Sequence, residues 1–146
     1  MFWNKSKFKF SRKSMKELET CHPELQRLFK EVIKQFDCSI IGGYRSNEQQ
    51  EEFYRKGFSK LRGGQSKHNH HPSLAVDVCP YPIDWENKER FILFAGYVKG
   101  VANRLGIKIR WGGDWDCDNF MEDQTFNDLP HMIVTGKHLL HNQQKE

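Results

Sequence analysis

The chain has 146 residues, of which 37% are hydrophobic and 13% aromatic, and its formal net charge is +4. This length is enough for a real core, so we expect a single domain over residues 1–146. No run of about 18 apolar residues occurs, which argues against a helix that spans a membrane.

The N-terminal segment is basic and aromatic. It lacks the continuous apolar stretch and cleavage site of a signal peptide, so we expect synthesis in a cytoplasm. Six basic residues precede the first acid, Glu17, and would suit a polyanion or form a solvated arm. They are Lys5, Lys7, Lys9, Arg12, Lys13 and Lys16. The four cysteines are widely spaced, without a Cys-x-x-Cys pair, and are expected to be buried free thiols.

Three helices are predicted in the first half of the chain. Ser14 and Glu17 fit a capping box that opens a short first helix. His22-Pro23 starts the second helix, with proline at its first position. Ser46 caps a third helix, which runs through Tyr54 and ends at Gly57. The second helix carries an apolar stripe at three- and four-residue steps, namely Leu25, Leu28, Phe29, Val32, Ile33 and Phe36.

Short strands and one long helix are predicted in the remainder. Residues 38–43, 75–79, 107–111 and 131–134 have the composition of short strands, and residues 87–105 have that of a helix ending before Gly106. Helices first, then strands around a long helix, indicate an α+β fold with a small, mostly antiparallel sheet. The residues of the long helix expected to face the core are Phe91, Ile92, Ala95, Val98 and Ala102.

Two polar segments carry the groups that could perform chemistry. Residues 66–78 supply imidazoles and Asp77, and residues 128–131 supply Asp128 and His131. Two imidazoles and one carboxylate are the ligand set of an open, catalytic zinc site. A carboxylate near the metal, such as Asp128, could accept and return a proton. A single carboxylate in an ion pair and a lone buried histidine are the common alternatives.

These residues resemble the signatures of a known peptidase family. The first segment is similar to the Ser-x-His-x-x-Gly-x-Ala-x-Asp motif of zinc peptidases related to vancomycin-resistance D-alanyl-D-alanine carboxypeptidases, and the second to their Asp/Glu-x-x-His motif. Phage endolysins that act as L-alanyl-D-glutamate endopeptidases are more similar still. The resemblance covers most of the chain in order, at residues 11–18, 22–25, 43–46, 75–78, 111–115 and 128–131.

The resemblance implies a fold, a cofactor and a set of roles. The fold would be Hedgehog/DD-peptidase-like, which agrees with the α+β prediction. One Zn²⁺ ion would be held by His68, Asp77 and His131, with Asp128 as general base. Arg45 would hold or polarise the substrate through its guanidinium group. A surface ion pair is the alternative for this arginine.

The resemblance also implies roles for four further residues, which are less directly supported by their own chemistry. Ser66 matches the motif serine, whose hydroxyl could bind a substrate carboxylate. Trp111, Asp114 and Trp115 would wall the cleft, although tryptophans beside glycines could equally be packing residues. Ile133 departs from the pattern, because related endopeptidases often carry glutamate there, and this changes the surroundings of the proposed site.

The first zinc ligand is ambiguous in the sequence. The family step of seven residues is kept by His70 and Asp77, but His68 then occupies the serine position and Ser73 the glycine position. If Ser66 and His68 begin the motif, the following loop has a two-residue insertion. We favour His68, because this choice keeps the serine and a loop absorbs extra length cheaply.

The leading hypothesis is a phage-type endolysin, a zinc metallopeptidase that cuts the L-Ala–D-Glu bond of peptidoglycan stem peptides. It would be made in the host cytoplasm and would reach the wall after release by another protein. We expect a monomer without nucleic-acid partner or membrane insertion. The alternatives are a zinc D,D-carboxypeptidase acting on D-Ala-D-Ala termini, a non-catalytic zinc-binding module, and a small basic nucleic-acid binder.

Overall fold

Four α-helices and four β-strands occur in the part of the chain that the structure, a computed structural model, describes: residues 6–119 and 128–136. A short 3₁₀ turn, Lys67–Asn69, precedes the second strand. The helices are α1 (Arg12–Glu19), α2 (Pro23–Val32), α3 (Asn47–Arg55) and α4 (Lys88–Leu105). The strands are β1 (Cys38–Gly42), β2 (Ala75–Pro80), β3 (Lys108–Trp111) and β4 (His131–Thr135).

The strands form one antiparallel sheet in the order β1-β2-β4-β3. In its register Asp77 on β2 lies opposite His131 on β4, and Gly42 on β1 lies opposite Asp77 on the other side. Residues directly opposite each other in a sheet project from the same face. The sheet therefore brings together two of the predicted ligands, which are 54 residues apart in sequence. The predicted α+β class with an antiparallel sheet is confirmed.

The core lies between the sheet and helices α2 and α4. Five of the six residues of the stripe predicted for α2 are buried and pack with α4 and with the inward residues of β2 and β4. The sixth, Phe36, lies beyond the end of α2 and is partly buried against this core. One prediction for α4 was wrong. Ile92 is 40% exposed, whereas Phe94 is 1% exposed. Consecutive helical residues are about 100° apart, so Phe91, Phe94, Ala95 and Val98 share the inner face and Ile92 turns away from it.

The predicted caps of three helices agree with the structure. Pro23 opens α2, Ser46 and Gln49 form a reciprocal capping box on α3, and α4 ends at Gly106, whose φ is 74°. The cap predicted for α1 was wrong. Ser11 is the N-cap, and Ser14 is a buried residue inside the helix whose hydroxyl accepts a hydrogen bond from the Ile40 N–H at 3.0 Å. The Ser14 hydroxyl, which the local sequence predicted to cap α1, therefore bonds to strand β1 instead.

The cysteine prediction holds at three of four positions. All four thiols are free; Cys21, Cys38 and Cys79 are buried, but Cys117 is exposed, because it lies in the turn that follows β3. Burial raises the pKa of the Cys21 and Cys79 thiols to about 12, which leaves them protonated and unreactive at neutral pH.

The chain ends belong only partly to the described residues. The Lys7 N–H donates to the Lys34 carbonyl at 2.9 Å, and Phe8 and Phe10 pack against the core, so this part of the basic segment is docked on the fold. The predicted frayed tail lies almost wholly in residues 137–146, outside the described part. In the described ranges, α4 is the longest helix, and neither it nor a shorter helix combines the length and apolar character needed to cross a bilayer.

Candidate metal centre

His68, Asp77 and His131 converge on one point at the edge of the sheet. His68 Nε2 lies 3.2 Å from His131 Nδ1 and 3.3 Å from Asp77 Oδ2, and His131 Nδ1 lies 3.1 Å from Asp77 Oδ1. Two imidazole nitrogens and a carboxylate oxygen at these separations could each donate a lone pair to one common metal ion. This is the donor group that the sequence predicted, assembled from a loop and two adjacent strands.

The His68 ring is fixed by the backbone. Its Nδ1 lies 2.7 Å from the Gly43 carbonyl oxygen, which can only accept a hydrogen bond, so Nδ1 carries a proton and Nε2 is the ring nitrogen available to a metal ion. The residue is only 2% exposed. The Ser66 hydroxyl caps the 3₁₀ turn by accepting the His68 N–H at 3.1 Å. A histidine whose second nitrogen bonds to a carbonyl is the usual arrangement of a metal ligand.

The separations fit a tetrahedral zinc ion. Zn–N and Zn–O bonds of about 2.0–2.1 Å place neighbouring ligands of a tetrahedron about 3.3 Å apart. The three observed separations, 3.1, 3.2 and 3.3 Å, agree with that edge. Three protein ligands leave one position of the tetrahedron open, which is the pattern of a catalytic rather than a structural site.

Asp77 is held as a carboxylate in spite of its position. Burial by itself raises the pKa of this carboxyl, but hydrogen bonds and charge from His131 and His68 outweigh burial, and the net pKa is well below the usual range. Arg45 adds an ion pair at 3.4 Å to Asp77 Oδ2. The group is therefore anionic at neutral pH, as a metal ligand must be.

The structure distinguishes the two candidate histidines by position. His68 lies inside the converging group. His70 is the C-cap of the 3₁₀ turn and is not a member of any metal-competent group among residues 6–119 and 128–136. The 3₁₀ turn ends at Asn69, and His70 is extended, with φ −69° and ψ 149°. The donor set is thus built with His68.

Asp128 lies beside the centre without belonging to it. Burial, followed by the charge of Asp77, raises the pKa of this carboxyl, and the charges of His131, His68 and Arg45 oppose that effect. Its backbone is tied on both sides, because its N–H donates to the Gly112 carbonyl at 2.9 Å and its carbonyl accepts the His131 N–H at 3.1 Å. A carboxyl with a raised pKa next to a metal site is suited to proton transfer.

Arg45 reaches the centre from the loop between β1 and α3. Its NH2 contacts Asp77, its NH1 donates to Gln50 Oε1 at 2.7 Å, and its guanidinium lies 4.2 Å from the centre of the Phe53 ring. Burial lowers the pKa of Arg45, whereas Asp77 and Asp128 raise it. The guanidinium is therefore held by three neighbours, Asp77, Gln50 and Phe53.

Ser66 and the two tryptophans were also predicted as site residues, and the structure shows which groups each of them contacts. Ser66 is only 4% exposed, and its hydroxyl caps the turn that carries His68. Trp111 is part of the core, and its indole N–H donates to the Leu129 carbonyl at 2.7 Å. Trp115 is half-buried, with its ring centre 5.6 Å from that of His131. Of the two tryptophans, only Trp115 borders the metal ligands.

Asp114 holds the turn after β3 together. Its carboxylate accepts the backbone N–H groups of Asp118 at 3.2 Å and Asn119 at 2.9 Å, and it contacts Lys99 Nζ at 3.4 Å. The residue is 3% exposed. Asp116 and Asp118 bring their carboxylates within 4.8 Å of it and of each other. Asp114 thus has a structural part in this turn, and its place in the cleft wall stays a prediction.

Four residues that support the centre were not found by sequence reasoning. Gly43 supplies the carbonyl that orients His68, and Gln50 holds Arg45. Asn69 donates to the Arg45 carbonyl at 2.7 Å and accepts the Gly64 and Ser66 N–H groups at 3.1 Å. Gly112 lies against Asp128. The sequence predicted that the two glycine pairs, Gly42-Gly43 and Gly112-Gly113, end strands. It could not predict which residues contact them, because tertiary packing determines those contacts.

The geometry agrees with a comparison against protein families. A model of the phage L-alanyl-D-glutamate peptidase family matches residues 6–135, which include every element and every donor described above. The chain belongs to this family. The family and the enzyme class that the sequence predicted, a peptidase for the L-alanyl-D-glutamate bond of peptidoglycan, are therefore confirmed.

Individual relatives of this peptidase show the same relationship. The L-alanyl-D-glutamate peptidase of Escherichia phage T5 is 33% identical over 122 residues, which cover 80% of this chain and 88% of the relative. The crystal structure of the Serratia marcescens L-Ala D-Glu endopeptidase ChiX matches with a TM-score of 0.70 and 27% identity, covering 91% of this chain and 95% of ChiX. The structure of the LdcB LD-carboxypeptidase matches with a TM-score of 0.53 and 18% identity, covering 97% of this chain and 69% of the LdcB chain. This match shows that the chain has the DD-peptidase-like fold.

Proposed function

We propose that this peptidase is a zinc metallopeptidase whose ion is held by His68, Asp77 and His131. The observation that carries the proposal is their convergence, at separations of 3.1–3.3 Å between the donor atoms, with Asp128 and Arg45 near enough to interact electrostatically with the group. A zinc ion there would supply a Lewis acid that polarises the scissile carbonyl and makes water a nucleophile at neutral pH.

Asp128 is proposed as the group that moves the proton. It accepts the proton of the attacking water and donates it to the departing amine, so that one carboxyl serves both halves of the hydrolysis. Its raised pKa, caused by burial and by the charge of Asp77, makes the protonated form accessible after the first transfer. Its backbone hydrogen bonds to Gly112 and His131 fix the main chain from which the carboxyl projects.

Arg45 is proposed to bind and polarise the substrate. Its guanidinium is a fixed cation next to Asp77, and its remaining N–H groups can donate to a carboxylate or to the oxyanion that develops from the carbonyl. The bond to Gln50 and the Phe53 ring restrict its motion, so little reorganisation is needed when substrate arrives.

The substrate is proposed to be the peptidoglycan stem peptide, cut between L-Ala and D-Glu. Mass spectrometry of a muropeptide digest tests this, because an endopeptidase releases the peptide that begins with D-Glu, whereas a D,D-carboxypeptidase releases only D-alanine. Metal analysis of Asp128→Asn tests the mechanism. We expect this variant to retain zinc and lose lysis, and a variant that retains both would show that Asp128 does not move the proton.

The biological setting remains a set of predictions. We expect one domain acting as a monomer, with peptidoglycan as its partner and no nucleic-acid partner, made in the host cytoplasm and acting on the wall after release. Gel filtration tests the oligomeric state, and a gel-shift experiment without wall lysis would favour nucleic-acid binding instead.

A further inference from the structure

A cleft of about 300 Å³ opens beside the metal centre. Asp77 and Arg45 lie at one side of it, the backbone of Gly42 and Gly43 lines it, and Glu17 lies on α1. Ile41, Tyr44, Gln49 and Phe53 provide the other walls. This size is at the lower end of the range for ligand pockets, and the cleft is continuous with a proposed zinc ligand. A substrate bound at the centre would extend into it.

The cleft contains charges of both signs. Arg45 is a cation, and Asp77 is directed to the His68 and His131 nitrogens. Glu17 is the second acid that lines the cleft, and no ion pair engages it within residues 6–119 and 128–136. With Asp77 occupied by a metal, the cleft would therefore present one cation and one carboxylate to a ligand.

The Glu17 carboxylate is held in place by one oxygen. Its Oε2 accepts the Gly43 N–H at 3.0 Å, which keeps the carboxylate against the strand that lines the cleft. The approach is close, because a Cβ at Gly43 would lie 2.4 Å from the Glu17 carbonyl and 2.3 Å from Thr20 Oγ1. The side chain is half-buried, so a second charge placed next to it would be screened less than at an open surface.

We propose that Glu17 is a substrate-binding residue that receives an ammonium group of the stem peptide. The assignment rests on the proposed function. The stem peptide carries a carboxylate on its D-Glu residue, which suits Arg45, and its next residue is a diamino acid, whose side chain ends in an ammonium group. A cleft with Arg45 and Glu17 in its walls complements such a segment, and a neutral or anionic third residue would leave Glu17 without a counter-charge.

Two synthetic peptides test the assignment. Both contain the L-Ala–D-Glu bond followed by a diamino acid, with the side-chain amine free in one and acetylated in the other. For the wild type we expect kcat/KM to be about tenfold higher with the free amine, since a charge-assisted hydrogen bond is formed only there. In Glu17→Gln the amide oxygen can still accept the Gly43 N–H, so only the free-amine peptide should be cut more slowly and the preference should vanish.

The control is Glu19→Gln, which removes the same charge from an exposed position of the same helix. It should keep the wild-type preference. If Glu17→Gln slows both peptides equally, Glu17 acts only through Gly43 and the His68 ring, and the assignment is overturned. A wild type that cuts both peptides without preference also overturns it. A wild type that cuts neither refutes the proposed function, and the assignment falls with it.

Discussion

Replacing Gly112 with alanine should inactivate the enzyme without removing a single functional group. A Cβ at this position would lie 2.0 Å from the Asp128 carbonyl oxygen and 2.8 Å from its carbonyl carbon. A carbon and an oxygen in contact need about 3.3 Å, so the two segments must separate by more than about 1 Å. The obstacle is backbone on both sides, and therefore no side-chain rotation relieves it.

The displacement falls on the proposed proton-transfer residue. The Asp128 N–H donates to the Gly112 carbonyl at 2.9 Å, and the Gly112 N–H donates to the His131 carbonyl at 2.8 Å, so both bonds are strained together. A shift of about 1 Å at a catalytic group can lower the rate about 100-fold. Overpacking of this kind also destabilises a fold by about 1–3 kcal/mol. We expect both effects in Gly112→Ala.

The assays are wall lysis by turbidity clearing and thermal unfolding, with Gly96→Ala as the matched control. A Cβ at Gly96, inside α4, meets nothing within 4 Å. Alanine there should leave lysis unchanged and raise stability by about 0.5–1 kcal/mol, because it restricts the unfolded chain and favours the helix. A Gly112→Ala enzyme with wild-type lysis would refute the placement of Asp128 against this glycine.

Three further predictions test the centre. His68→Ala should lose zinc and lysis, whereas His70→Ala should keep both; metal analysis of the two variants decides the ligand, and the reverse result would assign it to His70. In metal-free protein, Asp128→Asn should unfold at a higher temperature than wild type at neutral pH. Folding raises the Asp128 pKa, so ionisation of this carboxyl destabilises the folded wild type. The destabilisation is absent below the ordinary carboxyl pKa and grows as the pH rises through the raised value. Equal unfolding temperatures of the two proteins at all pH values would contradict the burial effect. Gln50→Ala should lower kcat/KM by about tenfold or more, since it frees Arg45 and leaves buried partners unsatisfied. Glu48→Ala, at an exposed position of the same helix, is the control. A Gln50→Ala enzyme with the wild-type kcat/KM would show that Arg45 does not depend on Gln50.

The buried amide of Gln50 links Arg45 to the loop that follows α3. The side chain is fully buried, and its Nε2 donates to Ser59 Oγ at 2.9 Å and to the Leu61 carbonyl at 2.7 Å. Every donor and the acceptor of this amide are thus used within the protein. A satisfied buried network of this kind restricts the group at its end to one position, which is what a substrate-binding guanidinium needs.

Local sequence was sufficient for much of the secondary structure and for the donor set. Helix ends depend on neighbours within a few residues, so the sequence alone predicts them. Examples are the capping box at Ser46, the proline at the start of α2 and the glycine after α4. The resemblance of residues 66–78 and 128–131 to peptidase motifs implied Asp77 and His131 as donors and favoured His68 over His70.

Contacts between distant segments decided the features of the fold and the site that local sequence could not predict. Ser14 has the sequence of a helix cap, but its hydroxyl serves β1, 26 residues away, and Ser11 caps the helix instead. The sequence left Trp111 as either a cleft wall or a packing residue; it lies in the core, where its indole N–H donates to the Leu129 carbonyl. The Gly43 carbonyl on His68 and the Glu17 carboxylate on the Gly43 N–H likewise join parts of the chain that no local pattern connects. Such hydrogen bonds depend on which strands become neighbours, and only packing of the whole core determines that.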